Sequence, residues 1–103
     1  MKATYKHINT GTCSRSVTIT YDTDTHIIEH VEFELGCSGN TQGVAKLCVG
    51  RKLEEVKDIL KGTLCGRRPT SCPDQLAQGI EDILKMWAVK LTFFIYWILF
   101  QKF

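Results

Sequence analysis

Residues 16–35 read Ser-Val-Thr-Ile-Thr-Tyr-Asp-Thr-Asp-Thr-His-Ile-Ile-Glu-His-Val-Glu-Phe-Glu-Leu, and this stretch decides the fold class. Val17, Ile19 and Tyr21 alternate with Thr18 and Thr20, and β-branched residues dominate, as in a half-buried strand. Asp22-Thr23-Asp24-Thr25 supplies turn chemistry. Beyond it the alternation resumes from Ile27 to Leu35, with Val31, Phe33 and Leu35 on one face and His30, Glu32 and Glu34 on the other. Two such runs around a short turn predict an antiparallel hairpin with one wet face. His30 is expected there as a solvated side chain, not a ligand. Ala3 to Ile8, upstream, is a further strand candidate with weaker alternation.

After Gly36 the apolar period lengthens from two to about 3.6 residues. Asn40 or Thr41 can cap a first helix whose inner stripe is Val44, Leu47 and Cys48, ended by Gly50. Leu53, Val56, Ile59 and Leu60 form the stripe of a second, with Glu54 and Glu55 early, Lys57 and Lys61 late and Gly62 as the stop. A third opens at Pro73-Asp74 and is expected to bury Leu76, Ala77, Ile80, Ile83 and Leu84. Strands first and helices after predict an α+β fold: a small antiparallel β-sheet of about three strands, followed by about three helices packed on it.

A chain of 103 residues accommodates one domain. Its 44% hydrophobic and 23% charged content excludes disorder, collagen and coiled coil as whole-chain descriptions. With 13 Lys and Arg against 11 Asp and Glu, the chain lacks the basic excess of a dedicated nucleic-acid binder, so no nucleic-acid partner is expected. Met1 to Gly11 contains no apolar stretch of the secretory kind, and the expected location is cytoplasmic, where thiols stay reduced. Five cysteines in that setting point to metal ligation, redox work or buried packing ahead of structural disulfides.

Cys48 falls on an apolar helical stripe and is expected to be a buried, inert thiol. The other four stand at element ends, where side chains converge on sites: Cys13 before the second strand, Cys37 after the third, Cys65 after the second helix and Cys72 at the mouth of the third. At a helix N-terminus, with Arg67 and Arg68 close in sequence, the Cys72 sulfur is placed where the dipole favours an anion. Three readings compete. The four can hold zinc as a tetrahedral thiolate site, although no Cys-x-x-Cys pair is present and 23, 27 and 6 residues intervene. Cys65 and Cys72 can instead form a redox pair. In the plainest reading all four are small loop residues. The Gly36 to Asn40 turn, with Ser38 and Asn40, and the Arg67-Arg68 pair are candidate anion or phosphate contacts.

Thr70-Ser71-Cys72-Pro73-Asp74 spells the signature of the TSCPD domain, and Gly11 to Ser14, Gly36 to Asn40, Gly43, Gly50, Gly62, Cys65-Gly66 and Ser71 to Ala77 all resemble family positions. The resemblance covers about residues 1–85 and leaves 86–103 outside it. It implies a small stand-alone protein with four characteristic cysteines, here Cys13, Cys37, Cys65 and Cys72, similar to a region near the C-terminus of vitamin B12-dependent ribonucleotide reductases. By the same resemblance the expected function is a zinc-binding accessory module tied to deoxyribonucleotide synthesis, with a ribonucleotide reductase or a second copy of the chain as partner. The alternatives are a thiol–disulfide relay through Cys65 and Cys72, and a non-catalytic interaction protein. A complete reductase, with its barrel, radical source and nucleotide site, does not fit in 103 residues. One departure stands out: the family pattern carries glycine ahead of Gly36, where this chain has Leu35.

The unmatched end is apolar and aromatic. Leu91 to Phe100 is a nearly unbroken apolar run flanked by Lys90 and Lys102, and at 10 residues it is half of what a bilayer-crossing helix needs. The primary expectation is an extra helical or extended segment packed on the domain or on a second subunit. An interfacial membrane contact is the alternative, because Trp and Tyr among apolar residues with flanking lysines suit the headgroup layer.

Overall fold

The alternation in residues 16–35 builds the hairpin it predicts. In the computed structural model, which describes residues 1–36 and 38–101, β2 (Ser14–Asp22) pairs antiparallel with β3 (Ile28–Leu35). The turn between them is closed by Asp22, whose Oδ1 accepts the N–H groups of Asp24 at 2.8 Å and Thr25 at 3.0 Å. On the other edge, β1 (Lys2–Ile8) pairs antiparallel with β2, so the sheet order is β1-β2-β3. Ile19 stands opposite Tyr5 on one side and Val31 on the other, and this register puts the apolar rows of all three strands on one face. His30, on the outer face, is exposed.

Three helices follow: α1 (Ser38–Cys48), α2 (Leu53–Leu60) and α3 (Cys72–Gln101). α1 packs on β3, while α3 lies on β1 and β2 with α2 beside it. The core is one cluster in which Val17, Ile19, Ile28 and Leu53 meet Leu76, Ile80 and Ile83, each fully buried. Gly79 allows the helix to approach β1 closely, since a Cβ there would lie 3.0 Å from that of His7. The α+β architecture is the one expected.

Several details differ from the sequence reading. α1 begins at Ser38, not at an Asn40 or Thr41 cap. Leu47 and Ile59, expected on inner stripes, are 70% and 63% exposed. They line an apolar groove between α1 and α2 with Val44, Val56 and Leu60, a side of both helices that no other element covers among the described residues. Leu35, expected inside, is 64% exposed at the end of β3. Its φ is +63° and that of Gly36 is +103°, so the backbone is left-handed at two successive residues. A branched side chain in that region is strained by about 1–2 kcal/mol, which is why glycine suits position 35. Leu35→Gly is therefore expected to raise stability by about 0.5–1 kcal/mol, after the entropy glycine adds to the unfolded chain. A shift of the urea midpoint upward at unchanged slope is the measurement.

The largest difference is α3. It runs on past residue 85 without a break to Gln101, 30 residues in all. No proline and no glycine follows Gly79, so nothing stops it. Its last anchorage on the domain is Trp87, whose Nε1 donates to the Tyr21 hydroxyl at 3.2 Å. Beyond that point the helix projects, and the molecule measures 56 Å along its longest axis against 25 and 20 Å across.

Candidate functional site

The site is built around the start of α3. The carbonyl of Ser71 accepts the Gln75 N–H at 2.8 Å, the first bond of the helix, and its Oγ accepts the Asp74 N–H at 3.1 Å. Ser71 is thus the N-cap, Cys72 the first helical residue, and Pro73 sits in the first turn where its missing N–H is not needed. The Ser71 hydroxyl also donates to the Thr63 carbonyl, tying the cap to the preceding loop.

Asp74 and Gln75, both buried, lock that loop in place. Asp74 Oδ1 accepts the Gly62 N–H at 2.7 Å, and its Oδ2 accepts the Thr70 hydroxyl at 2.5 Å and the Gln78 amide at 3.0 Å. Burial pushes the Asp74 carboxyl up, but these hydrogen bonds together outweigh it and hold the group below its ordinary value. Gln75 Nε2 donates to Thr70 Oγ1 at 2.9 Å, while its Oε1 accepts from His7 Nε2 at 3.0 Å and from the Thr10 N–H at 3.3 Å. A continuous polar web therefore joins β1, the Gly62–Thr70 loop and α3. Within the loop, the Cys65 carbonyl accepts the Arg68 N–H at 3.1 Å and the Cys65 N–H bonds back to the Thr70 carbonyl at 3.3 Å. Gly66, at φ +59°, permits this tight reversal.

The web delivers sulfur atoms to one place. Cys72 is buried, with its Sγ 3.0 Å from Ser14 Oγ and 3.8 Å from Cys13 Sγ. A register irregularity between Ser14 and Ser16 marks the start of β2, next to Cys13. Cys13, Cys65 and Cys72 all line one small cavity of about 40 Å³, with Thr12, Asn40, Arg68 and Ser71. Arg68 is the only charged residue among these and gives the cavity positive potential. Cys37, the fourth expected ligand, lies outside the described residues, as does the Ser38 side chain. Of the anion candidates, Asn40 and Arg68 reach the cavity, and Arg67 is not among its lining residues.

Cys48 is placed as expected, 3% exposed in the core, and burial pushes its thiol up to about 11. Ser14 and Thr12 were not singled out by sequence reasoning. Their adjacency to Cys13 was the available signal, but strand position alone does not say that a serine Oγ will face a cysteine 58 residues away.

The geometry limits the chemistry. A disulfide requires sulfurs at about 2.05 Å, far closer than Cys13 and Cys72 stand. Around a tetrahedral zinc with bonds of about 2.3 Å, thiolate sulfurs lie about 3.8 Å apart, the separation of this pair. Among the described residues, no three His, Cys, Asp or Glu side chains stand close enough together to hold a metal ion. The fit to a metal is thus carried by two sulfurs at ligand spacing, with a third on the same cavity wall.

Fold and site together define a small α+β domain that brings thiols from separate loops to the mouth of its longest helix. The family model of the TSCPD domain matches residues 1–84, and the chain belongs to that family. No curated protein and no solved structure matches it.

Proposed function

We propose that this TSCPD domain is a metal-binding accessory module, with zinc held by Cys13, Cys65, Cys72 and Cys37. The observation that carries this reading is the 3.8 Å separation of the Cys13 and Cys72 sulfurs, the edge length of a tetrahedral thiolate site. Cys65 borders the same cavity on a loop held by Asp74, and Arg68 offsets the negative charge that gathers when thiols deprotonate to bind a cation. The bound ion would cross-link the β1–β2 turn, the α2–α3 loop and the start of α3. By the resemblance of its family to a reductase region, the module serves deoxyribonucleotide synthesis beside a ribonucleotide reductase in the cytoplasm, without carrying the reaction itself.

The test is elemental analysis of protein purified without chelator. About one equivalent of zinc is expected, falling below about a tenth in Cys13→Ser and Cys72→Ser and unchanged in Cys48→Ala. Less than about a tenth of an equivalent of any metal in the unaltered chain would sink the reading.

A second reading draws on the same distance. In a thiol relay, two thiols pass two electrons and two protons to a disulfide on a partner, which is reduced to two thiols while the donor pair forms its own disulfide. Cys65 and Cys72 line one cavity and form the relay pair in this reading, with Cys13, whose sulfur stands 3.8 Å from that of Cys72, as a further exchange partner. Mass mapping after mild oxidation separates the readings, because the relay yields metal-free protein with a reversible disulfide between Cys72 and Cys65 or Cys13.

A further inference from the structure

The C-terminal half of α3 is a helix with no polar side. Leu91 to Phe100 holds nine apolar or aromatic residues in ten, interrupted by Thr92 alone. At about 100° per residue they leave no gap wider than roughly 60° around the helix. Exposure is high on opposite sides: Phe93 and Trp97 are 69% and 59% exposed, Ile95 and Leu99 49% and 51%. A partner helix or a second copy covers one stripe of such a rod and leaves the opposite side in water. A surrounding apolar solvent covers all of it. Thr92 fits that solvent, since its hydroxyl donates to the Ala88 carbonyl at 2.9 Å and is satisfied within the helix.

Charge identifies the kind of lipid. From residue 85 onward the charged side chains are Lys85, Lys90 and Lys102, with no Asp or Glu, whereas residues 1–84 carry 10 Lys and Arg against 11 Asp and Glu. Lys90 Nζ lies 5.0 Å from the centre of the Trp87 ring, so a cation and an indole stand together where the helix leaves the domain. Both groups favour the headgroup layer. By length and composition α3 as a whole is long and apolar enough to cross a membrane. It is held on the domain as far as Trp87, however, and residues 88–101 beyond it rise about 21 Å, short of a hydrocarbon core of about 30 Å. With the Lys90 ammonium at the headgroups, the apolar residues that follow reach about 15 Å inward and end within that leaflet.

We propose that residues 88–101 embed in one leaflet of a bilayer bearing anionic headgroups, holding the domain at the surface as a peripheral membrane protein. The sequence expectation of a segment packed on the domain is not met beyond Trp87, which removes the main competitor within a single chain.

The test is flotation of the full chain on two vesicle types, phosphatidylcholine alone and phosphatidylcholine with about a quarter phosphatidylglycerol. The chain is expected to float with the anionic vesicles, at least about tenfold more than with neutral ones at low salt. A double variant, Ile95→Glu with Trp97→Glu, changes positions outside the core and is expected to lose flotation about tenfold while keeping its circular dichroism. As a second readout, brominated acyl chains should quench the tryptophan fluorescence of the unaltered chain. The proposal is overturned if the chain stays with the soluble fraction, if it forms a dimer by light scattering that excludes lipid, if the two vesicle types float it equally, or if the double variant floats as well as the original.

Discussion

Asp74→Ala is expected to destabilise the domain by about 3–4 kcal/mol, lowering its melting temperature by roughly 12–25 °C. Asp74 is 7% exposed and its carboxylate receives three hydrogen bonds, so its removal strands the buried Thr70 hydroxyl and unties the Gly62 N–H that fixes the loop. Hydrogen bonds to a buried charge are worth about 1.5–3 kcal/mol each before compensation, which makes this a large effect for one side chain. Asn keeps one acceptor oxygen for Gly62 and should recover about half of the loss. A pH dependence separates this cause from mere loss of packing. Because the folded carboxyl titrates below its unfolded value, its contribution is fully present above about pH 4 and fades as pH falls through the lower folded value. Acid unfolding of Asp74→Ala should therefore be shallower than that of the parent chain. Equal acid profiles for the two would show that Asp74 is not the ionised acceptor described.

Ile80→Ala is the second large effect, at about 3–4 kcal/mol, with no pH dependence. Ile80 is fully buried where α3 crosses the sheet, in the cluster that includes Ile19 and Leu76. Truncation leaves a cavity in a core that relaxes only partly around it. Urea unfolding at two pH values measures both variants together. A loss below about 1 kcal/mol would mean that α3 does not seat on β1 and β2 at this residue.

How far the fold was legible in the chain depended on whether the deciding interaction was local. The β2–β3 hairpin follows from alternation over Val17 to Tyr21 and Val31 to Phe33, a signal contained in each strand. Leu35 broke that pattern because its backbone is left-handed, which alternation does not register. Pro73-Asp74 could be read as a helix start, since proline suits the first turn and an acid there suits the dipole. Their longer ties could not: Gly62 meets Asp74 and His7 meets Gln75 only once the chain has folded back on itself. The same holds for the cysteines. Their position at element ends was visible in sequence and singled out Cys13, Cys37, Cys65 and Cys72, but the proximity of Cys13 to Cys72 depends on strand register and helix docking together. The end of the chain was expected as an extra helical or extended segment, and the absence of any helix breaker after Gly79 is what makes it a continuation of α3.

One helix begins at the thiols and ends in the aromatic segment. Between Cys72 and Trp87 it is clamped to the sheet, so it behaves as a stiff mast and not as a tether. Whatever grips the far end thereby sets the height and tilt of the sulfur cluster, about 30–45 Å away along the axis, with no hinge to relax the angle. Docking of any large protein onto the thiols is then restricted to approaches from the side opposite the grip.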